Sequence, residues 1–323
     1  MKPSPSALHK YLLQPQELAL PLDSEVLFGR HAPLAIEIGF GGGEYLDWWA
    51  SQQPDWNFIG IELPPDSIFR AARRLEESGR ENVRLIHGDA RFLLRELFAM
   101  GSLCHVLMQF PMPWPKDKHA KHRVSSPTFA ATLADVLVPR CSFELVTDQD
   151  WYALETEAHF SANPAFNVAP LQRDPVRPFR TRYENKWLEE GRQIYRLLVT
   201  LSSPSPAPRT LEIQTMETLH LKSKPEPSAI DSLSGRRFQQ GGCVAEVKEV
   251  LQAKDGWVLR LLAADDSFAQ LFHARILPKD DGRCLLRVDE VPRPFYTAAV
   301  RFALAEISSF LESGPLGCAN TAS

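Results

Sequence analysis

Six short apolar runs separated by helical patterns occupy residues 34 to 201, and few folds can accommodate such a rhythm. The runs are "LAIEIGF" (34–40), "NFIGIEL" (57–63), "NVRLIHGDA" (82–90), "HVLMQFP" (105–111), "CSFELVTD" (141–148) and "IYRLLVTL" (194–201). Helical stretches lie between them. "PDSIFRAARRLEESG" (65–79) carries Pro and Asp at its start and Gly79 at its end, the usual start and stop signals. "SSPTFAATLADVL" offers Ser126 as N-cap and Pro127 at the first helical position. "EYLDWWASQQ", "RFLLRELFAM" and "WYALETEAHFSA" complete the set. Strict β-α alternation implies a mainly parallel sheet covered on both faces, an α/β doubly wound fold. In such sheets ligands bind beyond the carboxyl ends of the strands. Site residues are therefore sought just after each run.

The chain of 323 residues is long for one core. "LSSPSPAPRT" at 201–210 is Ser/Pro-rich and reads as an extended linker. The expected division is 1–202 for the first domain, 203–209 for the linker and 210–323 for a smaller α+β domain. In the latter, "GGCVAEVKEVLQ", "GWVLRLLAA", "AQLFHARIL" and "CLLRVDEV" read as strands, with Asp-Gly turns at 255–256 and 281–282. A helix follows, with Phe295, Val300, Leu304 and Ile307 on or near one face. No catalytic constellation stands out there. Arg236, Arg237, Lys248 and Arg260 read as solvated surface.

The N-terminus has Pro and Ser where an export signal needs apolar residues, and no apolar run is long enough for a membrane span. The five cysteines are scattered without a CxxC pair. The expectation is a cytoplasmic protein with reduced thiols, no structural zinc and no membrane partner.

After the first strand comes "EIGFGGG", with Gly39, Gly41 and Gly43 spaced G-x-G-x-G. Glycine lets a backbone approach a ligand closely and take positive φ. The spacing is shorter than the dinucleotide fingerprint, and Glu37 just ahead disfavours a pyrophosphate. A nucleoside cofactor bearing positive charge suits it better, and S-adenosylmethionine fits. A glycine turn that serves packing alone is the competing reading. Glu62, beyond the second strand, stands where ribose hydroxyls are gripped; a solvated carboxylate at a helix start is the bland alternative. Asp89, in "GDA", can accept from an adenine amino group or simply cap a helix. Together these acids and the glycine loop favour the nucleoside cofactor.

After the fourth strand comes "FPMPWPKDKHAKHRV", too rich in proline for helix or central strand. Lys116, Lys118, Lys121 and Arg123 stand against one Asp117, and Trp114 offers a stacking plane. A second cationic stretch, "RDPVRPFRTR", runs from Arg173 to Arg182. Two such clusters in a chain of net charge −4 suggest a track for a nucleic-acid backbone, against the alternative of ordinary solvated charge. Asp148, after the fifth strand, can accept from a guanine edge or cap the next helix.

In this order "EIGFGGG", "GIEL", "GDA", "FPMPWPKDKHAKHR", "VTDQDWYA" and "TRYENKWLEEGRQIYRL" resemble the tRNA (guanine-N7)-methyltransferase family across about 34–201. The resemblance implies a Rossmann-like methyltransferase fold, S-adenosylmethionine as donor, and a variable-loop guanine of tRNA as acceptor. Matched position by position, it implies cofactor binding at Glu37, Gly39, Gly41, Glu62 and Asp89. It implies substrate binding at Lys116, Asp148, Thr181, Tyr183 and Glu184, with Trp114, Lys121 and Arg123 beside them. The family loop carries Asp where this chain has Met112, and a thioether is only a weak acceptor. Two readings follow. Either Asp148 and Glu184 supply the carboxylate work of an active enzyme, or the chain is a tRNA- or cofactor-binding relative with little turnover.

Overall fold

The computed structural model describes residues 4–112, 123, 125–211, 218–265 and 268–313. The chain divides into two compact units, Met1–Pro208 and Arg209–Ser323.

In the first unit the elements run α1 (Pro5–Tyr11), β1 (Leu12–Leu13), α2 (Ser24–Phe28), β2 (Leu34–Ile38), α3 (Glu44–Gln52), β3 (Asn57–Glu62), α4 (Pro65–Ser78) and β4 (Val83–His87). They continue with α5 (Ala90–Leu97), β5 (Leu103–Gln109), α6 (Pro127–Val136), β6 (Leu137–Thr147), α7 (Asp150–Ser161), β7 (Phe166–Val168), β8 (Gln172–Arg173), α8 (Arg182–Glu189) and β9 (Tyr195–Leu201). The sheet order is β1-β4-β3-β2-β5-β6-β9-β7, with β8 also on β9. β1 to β6 pair in parallel, whereas β9 runs antiparallel to β6. From β2 the chain winds outward through β3 and β4, then returns to place β5 on the other side of β2. The switch point of this doubly wound sheet therefore lies between the ends of β2 and β5, where a ligand crevice belongs.

The local signals explain the elements. α4 begins with Pro65 at its first position and ends at Gly79, whose φ is +66°. The Arg80 amide donates back to the Leu75 carbonyl at 3.0 Å, closing the helix in a Schellman turn. Ile68, Ala71, Ala72 and Leu75 are buried, so α4 turns its apolar stripe onto the sheet. Ser126 caps α6 by accepting from the Phe129 amide at 3.3 Å. All five residues of β2 are buried, as expected of a strand covered on both faces.

Some elements differ from the sequence expectation. α1 packs on α4 and is fixed by the Tyr11 hydroxyl donating to the Leu75 carbonyl at 2.9 Å. Its seven residues are too short for periodicity to reveal. β7 and β8 are three- and two-residue strands that owe their form to pairing with β9. α8 lies in a segment too polar to show a core-facing stripe, and only Glu184 of it is buried.

The second unit contains β10 (Thr218–Leu221), α9 (Pro227–Asp231), β11 (Arg237–Gln240), β12 (Cys243–Ala253), β13 (Gly256–Asp265), β14 (Phe268–Pro278), β15 (Cys284–Val288) and α10 (Ala298–Ser313). The six strands form an antiparallel sheet ordered β10-β15-β14-β13-β12-β11. Val300, Leu304 and Ile307 of α10 are buried in one cluster with Leu259, Leu261 and Phe272 of the sheet. Phe295 is buried but precedes the helix. The edge strands β10 and β11, four residues each, escape sequence patterning. Lys248 pairs with Glu246 at 2.6 Å and Arg260 with Glu249 at 3.7 Å, while Arg236 lies over the Phe310 ring at 4.1 Å. Among the described residues no helix is long and apolar enough to cross a membrane.

Candidate active site

The glycine loop joins β2 to α3 at the switch point. Gly39 and Gly41 have φ of +72° and +58°, and a Cβ built on either meets nothing within 4 Å. Their backbone conformation demands glycine, and the space above them is open. Gly43 differs: a Cβ there would come within 2.8 Å of the Ala71 Cβ. It serves close packing of α3 on α4. Of the two roles weighed from sequence, packing falls to Gly43, while Gly39 and Gly41 border open space.

Glu62, at the end of β3, pins the loop. Its Oε2 accepts from the Gly41 amide at 2.9 Å and its Oε1 from the Leu63 amide at 2.8 Å. Each carboxylate oxygen has two lone pairs, so one remains on each for a pair of hydroxyls.

Glu37 is 2% exposed, in the middle of the sheet at the end of β2. Its Oε1 accepts from Gln109 Nε2 at 3.1 Å, while its Oε2 is buried without a hydrogen-bond partner. Burial pushes its carboxyl up to about 8; Gln109 and Arg177 oppose the shift and Glu62 adds to it. A buried acceptor left unsatisfied is costly, and a cationic donor arriving at Oε2 removes the cost.

Gln109 ends β5 and holds a second partner, because Arg177 Nη2 donates to its Oε1. Arg177 Nη1 in turn donates to Glu184 Oε2 at 2.5 Å. Both side chains of that ion pair are buried. Burial raises the Glu184 carboxyl, and Arg177, Arg180 and the Thr181 backbone oppose the shift. Glu37, Gln109, Arg177 and Glu184 therefore form one continuous buried network from the glycine strand to α8. Gln109 and Arg177 were not singled out as site residues from sequence. A polar residue ending the apolar run "HVLMQ" was a signal for the first; Arg177 was merged into a surface cluster.

The segment before α8 is also clamped to α3. Phe179 stacks on Trp48 with ring centroids 5.2 Å apart, and Arg177 lies over the Tyr45 ring at 5.4 Å. The Arg182 amide donates to Glu44 Oε2 at 3.0 Å. Thr181 is the N-cap of α8, its hydroxyl accepting from the Glu184 amide at 3.2 Å. Tyr183 is 52% exposed beside Arg182.

Three of the expected site residues have protein partners. Arg123 is 5% exposed, pairs with Glu155 at 2.5 Å and lies over Trp151 at 4.9 Å. It ties the end of the loop to α7 and is not presented to phosphate. Asp89 caps α5 through the Arg91 amide at 2.9 Å, and both its carboxylate oxygens take bonds from the Arg91 guanidinium. The capping reading holds there, and an adenine amino group would have to compete with Arg91. Asp148 pairs with Arg192 at 2.6 Å and accepts from Gln149 Nε2 at 2.7 Å, while the N-cap of α7 is Gln149.

Met112 follows β5 and is 70% exposed, so a substitution there meets solvent. Phe110, two residues earlier, has φ of +46°, a conformation uncommon outside glycine and concentrated near functional sites. Trp114, Lys116 and Lys121 lie outside the described residues. Among the described residues no group of three His, Cys, Asp or Glu side chains is placed to hold a metal ion.

A family model described as "Putative methyltransferase" matches residues 31–197. A protein of Thermotoga maritima named tRNA (guanine-N(7)-)-methyltransferase is 33% identical over 301 residues, covering 92% of this chain and 96% of that one. A protein of the same name from Thermus thermophilus is 31% identical over 314 residues, covering 96% of each. Another, from Methylococcus capsulatus, is 37% identical over 193 residues, covering 58% of this chain and 82% of its own length.

Proposed function

The chain belongs to the tRNA (guanine-N(7)-)-methyltransferase family, and on that premise we propose that it methylates N7 of a guanine in tRNA, with S-adenosylmethionine as donor. The observation that carries the donor assignment is Glu37: a buried carboxylate oxygen without a partner, at the switch point and next to an open glycine loop. A primary ammonium brings both a hydrogen-bond donor and the charge that such an oxygen lacks.

S-adenosylmethionine, when bound, supplies an electrophilic sulfonium methyl. Glu37 meets the methionyl ammonium, and the open backbone at Gly39 and Gly41 admits the nucleoside. Glu62 grips the ribose hydroxyls with the lone pairs that Gly41 and Leu63 leave free. Asp89 contributes through the start of α5, which it caps.

N7 of neutral guanine already exposes a lone pair, so no base has to create the nucleophile. The protein's task is alignment and exclusion of water. Positive charge develops on the purine as N7 is alkylated, and a carboxylate near the ring stabilises it. Glu184 is the carboxyl group for this role; burial raises it and Arg177 opposes that shift. Thr181 fixes the first turn that carries it, and Tyr183 offers an exposed ring for stacking on a base. Asp148 stands at the neighbouring strand end, where release from Arg192 frees it for the guanine edge. Lys116, Lys121 and Trp114 supply the phosphate and base contacts of the loop. Met112 cannot accept a strong hydrogen bond and contributes an apolar contact instead. The first unit holds the chemistry, and the second is accessory.

The test is incubation of pure protein with methyl-labelled S-adenosylmethionine and an unmodified tRNA transcript, followed by borohydride reduction and aniline scission. Label in tRNA, with scission at a guanine, is the expected result. Label confined to another base, or none from the wild type while Met112→Asp is active, overturns the reading.

A further inference from the structure

The Gln109 side chain has two different ends and both are used. Its amide nitrogen donates to Glu37 and its amide oxygen accepts from Arg177. An amide cannot exchange these roles without turning over, and turning over would set its NH2 against a guanidinium. Its orientation is therefore fixed by an acceptor on one side and a donor on the other. Arg177 is bound just as tightly: one nitrogen serves Gln109, another serves Glu184, and its guanidinium lies over Tyr45. Buried polar networks of this kind respond as a unit, since a partner lost at one end leaves an unsatisfied group along the rest.

We propose that Gln109 and Arg177 are positioning residues that couple the donor site to the guanine site, so that a ligand at Glu37 sets the placement of the Glu184 carboxylate and α8. This rests on the function proposed above. A cation at Glu37 Oε2 favours the ionised, acceptor-only carboxylate, holds the Gln109 amide in one sense, and so keeps Arg177 directed at Glu184. The Thr181 cap and the Phe179–Trp48 stack transmit that placement to the exposed first turn of α8, where Tyr183 lies. By thermodynamic linkage, tRNA seated on α8 must strengthen donor binding by the same factor.

The probes are S-adenosylhomocysteine and an unmodified tRNA transcript. Calorimetric titrations of the full chain, with and without saturating tRNA, give the ratio of the two dissociation constants. We expect about fivefold or more in the wild type. Gln109→Met removes both ends of the bridge and should bring the ratio below about twofold. Arg177→Lys keeps the charge but cannot span two partners, and should do the same; it serves if Gln109→Met does not fold. In both variants kcat should fall further than KM for tRNA rises. A wild-type ratio near one, or either variant retaining the wild-type ratio, overturns the proposal. If the wild type binds neither probe, the function itself fails, and the bridge is judged without ligands. Glu37→Gln and Glu184→Gln should then be non-additive in the unfolding equilibrium constant by about fivefold, and additive once Gln109→Met or Arg177→Lys is present. Additivity in the otherwise unchanged chain refutes the bridge.

Discussion

Glu37→Gln tests the donor site through pH. Burial holds the Glu37 carboxyl near 8 against an ordinary value of 4.5, so between those values the folded chain keeps a proton that the unfolded chain has lost. Stability must then fall as pH rises across the window, because the native state binds more protons. The contribution is fully present below the ordinary carboxyl value and is gone above about 8. The slope is about 1.4 kcal/mol per pH unit, which sets a ceiling of about 5 kcal/mol over the window. Glu37→Gln keeps the shape and the acceptor for Gln109 but cannot ionise, so its curve lacks this slope. Urea unfolding of both proteins between about pH 5.5 and 7.5 should show the wild type losing roughly 2 to 3 kcal/mol relative to the variant. Comparing the two slopes removes the contribution of every other titrating group. A donor's ammonium demands the ionised carboxylate, so S-adenosylhomocysteine should bind with proton release and more tightly as pH approaches 8. 5′-Methylthioadenosine, which lacks the ammonium, should bind Glu37→Gln and wild type alike. Parallel stability curves, or equal weakening of both ligands, would refute the reasoning.

The two kinds of glycine should separate. Gly43→Ala combines positive φ with a clash on Ala71 and should cost about 2 to 4 kcal/mol in chemical denaturation. Gly41→Ala should cost only about 1 kcal/mol yet weaken S-adenosylhomocysteine binding by more than Gly43→Ala does; the reverse ranking counts against an open cradle. Arg123→Met should lower stability by up to about 3 kcal/mol through the stranded Glu155. The salt slope of tRNA binding should not change, whereas a drop of about one would restore a phosphate contact. Met112→Asp, at an exposed position, should change stability by less than about 0.5 kcal/mol. It should raise turnover about tenfold or more by placing a carboxylate beside the alkylated ring; unchanged turnover would remove that position from the chemistry.

The six long strands of the winding sheet and the second sheet's hairpins were legible because each rests on local chemistry: period-two or continuous apolar runs, Pro and Ser at helix starts, Gly79 and the Asp-Gly turns. The placement of Glu37, Gly41 and Glu62 near one another was legible for the same reason, since a doubly wound sheet gathers its strand ends. What sequence could not convey was partnership. For Asp89 and Asp148 the sequence offers a ligand or a helix cap, and for Arg123 a phosphate or solvent. Each instead has a protein partner: Arg91 close in sequence, Arg192 44 residues away and Glu155 32 away. Arg177 and Gln109 meet across 68 residues, and no periodicity marks such a meeting. α8 was missed because its polar face gives no stripe, and its start depends on the Thr181 cap.

The stack of Phe179 on Trp48 bears on the order in which a ribosome makes this chain. The glycine strand and the helix behind it emerge early, with their aromatic side chains uncovered. The Phe179 ring that covers Trp48, and the Arg177 guanidinium beside Tyr45, belong to a stretch translated some 130 residues later. At roughly 5 to 20 residues per second that is a wait of many seconds. Until it ends, the nascent pocket lacks one wall, and Trp48 presents a sticky surface that chaperones are built to mask.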